Sequence, residues 1–193
     1  MGTVISNEGC DPDNWNNHGS IFEFQDCWYI AYHRACFANH TTRRACFEKI
    51  SFNPNGTIPE VQMTVGGAEH PVCALNHQIE ARRATRLHGE VQSIYNSKEH
   101  EVLKFSKPGD WAAYRGISFT GNEKKICLKL SEFSDDCAFE VRIARYEKGE
   151  ADCLISAPHF TRSISAVNGV YTVYIRLVNG SGMLDWFGFN QVI

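Results

Sequence analysis

Short runs of aromatic and β-branched residues, separated by turn signals, recur along the chain without a convincing helical period. Aromatic and β-branched side chains fit the pleated, half-buried surface of a sheet, whereas Gly, Pro, Asn and Asp supply the backbone angles of tight turns. Typical turn signals are Asn53-Pro54-Asn55-Gly56, Lys107-Pro108-Gly109-Asp110 and Asn179-Gly180-Ser181-Gly182. This pattern predicts an all-β chain.

The first part of the chain predicts a small meander of strands. Residues 21–24 and 28–32 read as a hairpin, and further strands are expected at 45–52 and Glu60–Thr64. One four-stranded sheet has two faces and little core, so it would be marginal alone. We therefore expect this sheet to belong to something larger.

The second part, from Gln78 onward, predicts a two-sheet sandwich, because short strands and turn signals alternate at near-regular spacing. Alternation places Phe139, Val141 and Ile143 on an inward face. The same argument makes the set Tyr171, Val173, Ile175 and Leu177 core. Between the two parts, residues 67–76 have no clear period and read as a linker.

Composition excludes several classes of function. The net charge is −3 with 21% charged residues, which gives no basic field for nucleic acid. No apolar run approaches the roughly 20 residues that span a bilayer. The first residues lack the basic start and apolar stretch of a signal peptide, so we expect none in this chain.

Eight cysteines are scattered through the sequence and form no Cys-x-x-Cys pair, which argues against structural zinc. Several, such as Cys27, Cys46 and Cys127, lie in apolar runs, where a free cysteine behaves as a small hydrophobic residue. We expect mostly free thiols, with one or two disulfides as the alternative.

Motifs in residues 10–66 resemble the last blade of family 43 glycoside hydrolases, which are five-bladed β-propellers that cleave arabinosides and xylosides. They are His18-Gly19-Ser20, Trp28-Tyr29 with Tyr32-His33-Arg34, Arg43-Arg44, and Phe52-Asn53 with Gly56 and Ile58. The resemblance implies that the catalytic carboxylates belong to other blades, outside this chain. The carboxylates of residues 1–66 read as ordinary solvated charges.

Motifs from Gln78 to the end resemble family 6 carbohydrate-binding modules. They are Ile79-Glu80-Ala81, the segment Gly109–Phe119, Phe139-Glu140-Val141-Arg142, the segment Gly169–Tyr174, and Asp185-Trp186-Phe187-Gly188-Phe189. Together the two resemblances imply one four-stranded propeller-type blade (1–66), a linker (67–76) and a β-sandwich of jelly-roll type (77–193).

The family 43 resemblance marks candidate residues in the blade. It implies a histidine on the propeller axis, close to calcium or water, at His18, and one substrate-contacting arginine at Arg43 or Arg44. A guanidinium offers planar paired donors suited to sugar hydroxyls. The alternatives are a histidine that satisfies a local turn and arginines that are solvated edge charges.

The module departs from its family where the sugar would bind. The expected asparagine aligns with Met183, and of an expected pair of tryptophans only His159 and Phe160 remain. Trp111 and Trp186 belong to strand motifs and read as core. The remaining loop candidates for stacking on a sugar are Tyr95, Tyr146 and His159.

Calcium is the cofactor that the resemblance raises, with Glu80 and Asp185 as ligands in the module. Family members often have a second carboxylate where this chain has Arg82, and an arginine cannot ligate a hard cation. We therefore predict that Arg82 replaces the ion by pairing with Glu80 or Asp185.

These patterns predict a non-catalytic, carbohydrate-associated C-terminal portion of an exported enzyme that removes arabinose or xylose from plant polysaccharide. The predicted partner is plant cell-wall polysaccharide or a pentose-containing oligosaccharide. Two alternatives stay open: a purely structural sandwich that caps a propeller, and a subunit that completes a split glycosidase with catalytic blades in another chain. An exposed aromatic pair at one loop end would argue against the first.

Overall fold

The computed structural model describes residues 2–7, 9, 17–36, 39–96, 100–145 and 150–190, with the backbone alone at 35–36 and 39–41. These residues form one three-stranded sheet and two six-stranded sheets. The all-β class is therefore confirmed. Within the described residues, no helix has the length and apolar character needed to cross a bilayer.

The first sheet is an antiparallel meander of β1 (Ser20–Phe24), β2 (Cys27–Cys36) and β3 (Asn39–Ile50), in that order. A two-residue turn joins β1 and β2, and both turn residues, Gln25 and Asp26, adopt positive φ. Such turns match the twist of a hairpin. Its register pairs Phe22 with Tyr29.

The fourth strand predicted at Glu60–Thr64 is not formed, so the blade is three-stranded rather than four-stranded. Two backbone N–H groups of this segment bond elsewhere. Val61 donates to the carbonyl of Val4, and Thr64 donates to the side chain of Glu48. We call residues 59–64 the strap, because they lie between the first sheet and the sandwich.

The other two sheets pack face to face as the predicted sandwich. Their strands are β4 (Val72–Cys73), β5 (Gln78–Glu80), β6 (Arg86–His88), β7 (Gln92–Tyr95), β8 (Glu101–Phe105), β9 (Trp111–Thr120), β10 (Lys125–Phe133), β11 (Ala138–Ala144), β12 (Cys153–Ser156), β13 (Thr161–Ser163), β14 (Asn168–Asn179) and β15 (Gly182–Asn190). We name the two sheets after their central strands, β14 and β15. The β14 sheet has the order β12-β11-β14-β9-β4 with β6 on β9, and the β15 sheet has the order β13-β10-β15-β8-β7 with β5 on β15.

One hydrophobic core fills the space between these two sheets. The inward positions predicted on β11 are buried, and on β14 Val173, Ile175 and Leu177 are buried while Tyr171 is half-buried. Trp111 is buried as predicted, whereas Trp186 is half-buried. The aromatic side chains that are fully buried are Tyr114, Phe105, Phe139, Phe187 and Phe189.

The segment predicted as a linker, 67–76, is hydrogen-bonded to the sandwich. A short 3-10 helix covers Gly67–Glu69, and β4 then pairs in parallel with β9. Ala74 and Asn76 donate to the carbonyls of Ser118 and Phe189. The division into residues 1–66, 67–76 and 77–193 remains a proposal, but part of the connecting segment belongs to the β14 sheet.

Two arginines of the first sheet reach into the sandwich. Arg34, which is buried, donates from Nη2 to the carbonyl of Ala84 at 2.6 Å. Arg44 donates from Nη1 to the carbonyl of Arg82 at 2.9 Å. Arg82 lies within the second 3-10 helix, Ala81–Arg83, and Ala84 directly follows it. The first sheet and the sandwich are thus joined by side chains as well as by the chain itself.

Candidate functional site

An aromatic pair lies at the end of the sandwich where β10 finishes. The rings of Phe133 and Phe160 meet edge to face, with centroids 4.9 Å apart. Phe133 is 45% exposed and Phe160 is half-buried. Exposed aromatic faces next to polar groups are what a protein uses to hold the apolar face of a sugar ring.

Two of the residues that the sequence singled out lie beside this pair. His159 precedes Phe160 and is exposed, while its backbone N–H donates to Ser156. Met183 pairs with Glu132 in the register of β10 and β15, one residue before Phe133. We call Phe133, His159 and Phe160 the loop-end site.

Phe133 was missed by the sequence reasoning. It stands at the end of an alternating strand, directly before the turn signal Ser134-Asp135-Asp136. An aromatic residue at the point where a strand leaves the core is a signal that could have found it. Its contact with Phe160 could not be predicted, because the two residues meet across separate segments.

The structure does not bring the stacking candidate Tyr95 to this site. Tyr95 is 56% exposed but lies on β7, at the opposite edge of the β15 sheet from β13. Tyr146 lies outside the described residues. The two predicted stacking residues that the structure describes, Tyr95 and His159, therefore do not lie in one cluster.

The two arginine candidates of the first sheet have different environments. Arg43 is exposed. Arg44 donates to the carboxylate of Glu101, and its own side chain is 21% exposed while that of Glu101 is 8% exposed. Because the Arg44 guanidinium is engaged with the sandwich, Arg43 is the arginine of this pair with donors directed to solvent.

His18, the candidate for the propeller axis and for a metal, is exposed, and its ring meets that of His33 with centroids 4.5 Å apart. Among the described residues, no three His, Cys, Asp or Glu side chains are grouped as a metal site. Asn7 donates to the carbonyl of His33, which ties the strand to the segment before it.

The residues present do not fit the calcium site that the module's family implies. Arg82 donates from Nη2 to the Glu80 carboxylate at 2.8 Å, so a cationic side chain stands where a cation would need oxygen ligands. Asp185 accepts a long bond of 3.4 Å from Asn96 instead. The prediction that Arg82 pairs with Glu80 is confirmed.

Glu48 was predicted to be a solvated charge, but it is a buried carboxylate on β3 that holds the strap, because Thr64 and Tyr32 donate to it. Its carboxylate accepts from the backbone N–H and the hydroxyl of Thr64, at 2.8 and 2.9 Å, and from the hydroxyl of Tyr32 at 3.3 Å. Burial raises the pKa of Glu48, although these hydrogen bonds oppose the shift. The carboxylate is committed to internal partners, which is a structural role.

Comparisons with known proteins agree with this architecture. No family model matches the chain. The chain is 47% identical over 58 residues to a xylosidase/arabinosidase of Thermoclostridium stercorarium. A family 43 arabinoxylan arabinofuranohydrolase from Bacillus subtilis, solved in complex with cellotetraose, matches 92% of this chain with a TM-score of 0.57 and 21% identity.

The chain is built like the C-terminal part of a family 43 glycoside hydrolase joined to a family 6-like carbohydrate-binding module. The likeness to a carbohydrate-binding module concerns the sandwich alone. A family 6 module from Clostridium cellulolyticum, solved in complex with xylose, matches 61% of this chain and 98% of its own, with a TM-score of 0.54 and 20% identity.

The family 6-like sandwich is thus matched almost end to end, whereas the hydrolase relatives are matched in part. The chain spans 12% of the Thermoclostridium protein and 41% of the Bacillus one. The structural likenesses are below 25% identity, so they establish the fold.

Proposed function

We propose that this chain is the non-catalytic, carbohydrate-associated C-terminal portion of an exported glycoside hydrolase that removes arabinose or xylose from plant polysaccharide. The observation that supports the proposal most is that the first sheet and the sandwich together match one arabinofuranohydrolase over 92% of the chain. The loop-end site gives the proposed sugar contact.

The acidic residues of the first part support a non-catalytic role. A glycosidase needs two carboxyl groups at a fixed separation across the scissile bond. Glu48 is committed to Thr64 and Tyr32, while Glu23, Asp26 and Glu60 are exposed. Glu8, Asp11 and Asp13 lie outside the described residues.

Calorimetric titration with xylotetraose and arabinoxylan fragments tests the sugar contact. We expect binding that Phe133→Ala and Phe160→Ala each weaken tenfold or more, because an aromatic face at a binding site commonly contributes about 2 kcal/mol. Phe52→Ala is the matched control, since Phe52 is also 45% exposed but lies beyond the first sheet. Equal affinity in all three variants would overturn the site.

The same protein should release no pentose from an aryl arabinoside or xyloside. Release that a single Asp or Glu substitution abolishes would overturn the non-catalytic proposal.

One observation favours the second candidate function, a subunit that completes a split glycosidase. Phe22, Phe24 and Phe47 lie on one face of the first sheet and are 37%, 59% and 44% exposed. The Phe22 ring stacks on Tyr29 and meets Phe47 edge to face, so the patch is continuous. A contiguous apolar sheet face of this kind marks an interaction surface.

The proposed occupant of this face is another sheet of a propeller, because the hydrolase relatives extend well beyond the matched region. The test uses the Thermoclostridium xylosidase/arabinosidase with its matching 58 residues removed. Adding the present chain should restore activity in a concentration-dependent way, and Phe24→Ser with Phe47→Ser should abolish that rescue. Phe52→Ser is the control, because Phe52 contacts Trp28 on the opposite face. Absence of rescue at any concentration counts against this candidate.

A further inference from the structure

A cavity of about 520 Å³ lies where the first sheet, the strap and the β14 sheet meet. β3 contributes Glu48 and Ile50 to its lining, the strap contributes Glu60 and Gln62, and the sandwich contributes Arg145 among others. The volume falls within the range of sites that hold small ligands. None of the loop-end residues lines it, so it is separate from the site described above.

Three polar side chains of this cavity have hydrogen-bonding capacity to spare. Glu60, Gln62 and Arg145 are all exposed. Within the described part of the chain, the side chains of Glu60 and Gln62 have no hydrogen-bond partner, and the Arg145 guanidinium lies over the Tyr171 ring, 5.9 Å from its centroid. A carboxylate accepts, a guanidinium donates and an amide does both.

This combination fits the hydroxyl groups of a neutral sugar, because each hydroxyl is both a donor and an acceptor. The apolar part of the lining, which includes Ile50, Val61 and Val170, suits the C–H face of a sugar ring. A strongly anionic ligand is disfavoured, since the carboxylates of Glu48 and Glu60 also line the cavity.

The wall of the cavity is held in place by contacts of its own. Thr64 is fixed by Glu48 through two hydrogen bonds. Arg115, which also lines the cavity, donates to the carbonyl of Met63 at 3.3 Å. Gly116 adopts φ +87°, and its missing Cβ leaves room for the His70 ring. A site built before the ligand arrives loses less freedom on binding.

We infer that this junction cavity is a second carbohydrate site, which takes one or two neutral sugar residues of an oligosaccharide. The inference rests on the proposed function, because it assigns a further contact to the same class of ligand. The site draws residues from both the first sheet side and the sandwich, so neither part would form it alone.

Titration of the full chain with xylotetraose, followed by heteronuclear NMR, tests the inference. We expect two groups of shifted amides, one near Phe133 and one near Arg145. Glu60→Ala and Arg145→Ala should each weaken the second group about tenfold or more, as expected for loss of a charge-assisted hydrogen bond. Phe133→Ala should weaken the first group alone. Arg176→Ala is the control for loss of an exposed arginine, because the Arg176 side chain is 50% exposed and lines neither site.

The outcomes separate this inference from the proposed function. Shifts confined to the loop-end site would overturn the junction site and leave the proposed function standing. Shifts confined to the junction would support the inference and remove the loop-end assignment. No shifts with xylotetraose, cellotetraose or arabinoxylan fragments would overturn both.

Discussion

The Arg44 guanidinium of the first sheet donates to both carboxylate oxygens of Glu101 in the sandwich, at 2.6 and 2.5 Å. The Ser93 hydroxyl donates to the same carboxylate, and the Arg82 guanidinium lies 4.0 Å from it. A mostly buried pair with additional hydrogen bonds is costly to break from one side, because the remaining charge is left without its partner. This ion pair therefore couples the stability of the first sheet to that of the sandwich.

Replacing Arg44 should destabilise the whole chain. We expect Arg44→Ala to lower the free energy of unfolding by about 2–3 kcal/mol, because Glu101 and the Arg82 carbonyl both lose a donor. Arg43→Ala, at the exposed neighbouring position, should change it by less than about 0.5 kcal/mol. Urea unfolding measures both. Equal effects of Arg44→Ala and Arg43→Ala would contradict the stabilising role assigned to the Arg44–Glu101 ion pair.

The stability difference between wild type and Glu48→Gln should depend on pH. Burial raises the pKa of Glu48 above its usual 4.5, so the folded state binds this proton more tightly than the unfolded state. The wild type should therefore lose stability relative to Glu48→Gln as pH rises through the window above 4.5. Urea unfolding between about pH 4 and 7 measures the slope.

Thr64→Val provides the internal check on this slope. It removes the hydroxyl that donates to the carboxylate, and that hydrogen bond lowers the pKa of Glu48. In the Thr64→Val background, the pH range over which Glu48 lowers the stability of the chain should therefore extend to higher pH. If the stability difference between wild type and Glu48→Gln stays constant across this pH range, Glu48 has the same pKa in the folded and unfolded states, and the prediction is wrong.

Gly116→Ala should cost more stability than Gly109→Ala. Both glycines have positive φ, +87° and +99°, but a Cβ at Gly116 would overlap the His70 ring, 2.6 Å from its Cε1 atom, whereas Gly109 has nothing within 4 Å. We expect Gly116→Ala to cost about 1–3 kcal/mol more. Thermal unfolding measures the difference, and His70→Ala should recover most of it. If the double variant is no better than Gly116→Ala, the clash is not the cause.

The cysteines should differ widely in reactivity. The six cysteines whose side chains are described are free thiols, as predicted for them, while Cys10 and Cys36 lie outside that set. Burial raises the pKa of the Cys137 and Cys153 thiols to about 11. At pH 8 about a thousandth of each would be thiolate, so alkylation should be slow. Exposed Cys73 should react first. Mass spectrometry of timed alkylation, with Cys73→Ser as control, identifies the order.

Strand positions in the sandwich could be predicted because one face of each strand is buried. The alternation of Phe139, Val141 and Ile143 follows directly from that burial. The short strands β4 and β6 carry too few residues to show a period, and they were not predicted. Their backbone groups find partners on β9, which is distant in sequence.

The site was harder to predict than the fold. The sequence could name Arg43 and Arg44 but could not distinguish them, because their difference arises from Glu101, a residue of the other part. It could name Arg82 and Glu80 as a pair, since they are two residues apart and Arg82 stands where the resembled family has a second carboxylate. Residues Glu60–Thr64 of the strap were predicted to complete the meander as a fourth strand, yet Val4 and Glu48 accept from the backbone N–H groups of Val61 and Thr64.

The parallel pairing of Val72 and Cys73 with Ile117 and Ser118 has a practical consequence for anyone who wishes to move this sandwich into another protein. A transplanted segment that starts at Gln78 would lack β4, so the edge of the β14 sheet at β9 would be open to strands from neighbouring molecules. The transplantable unit begins before Val72, and a fusion joint is safer upstream of that residue.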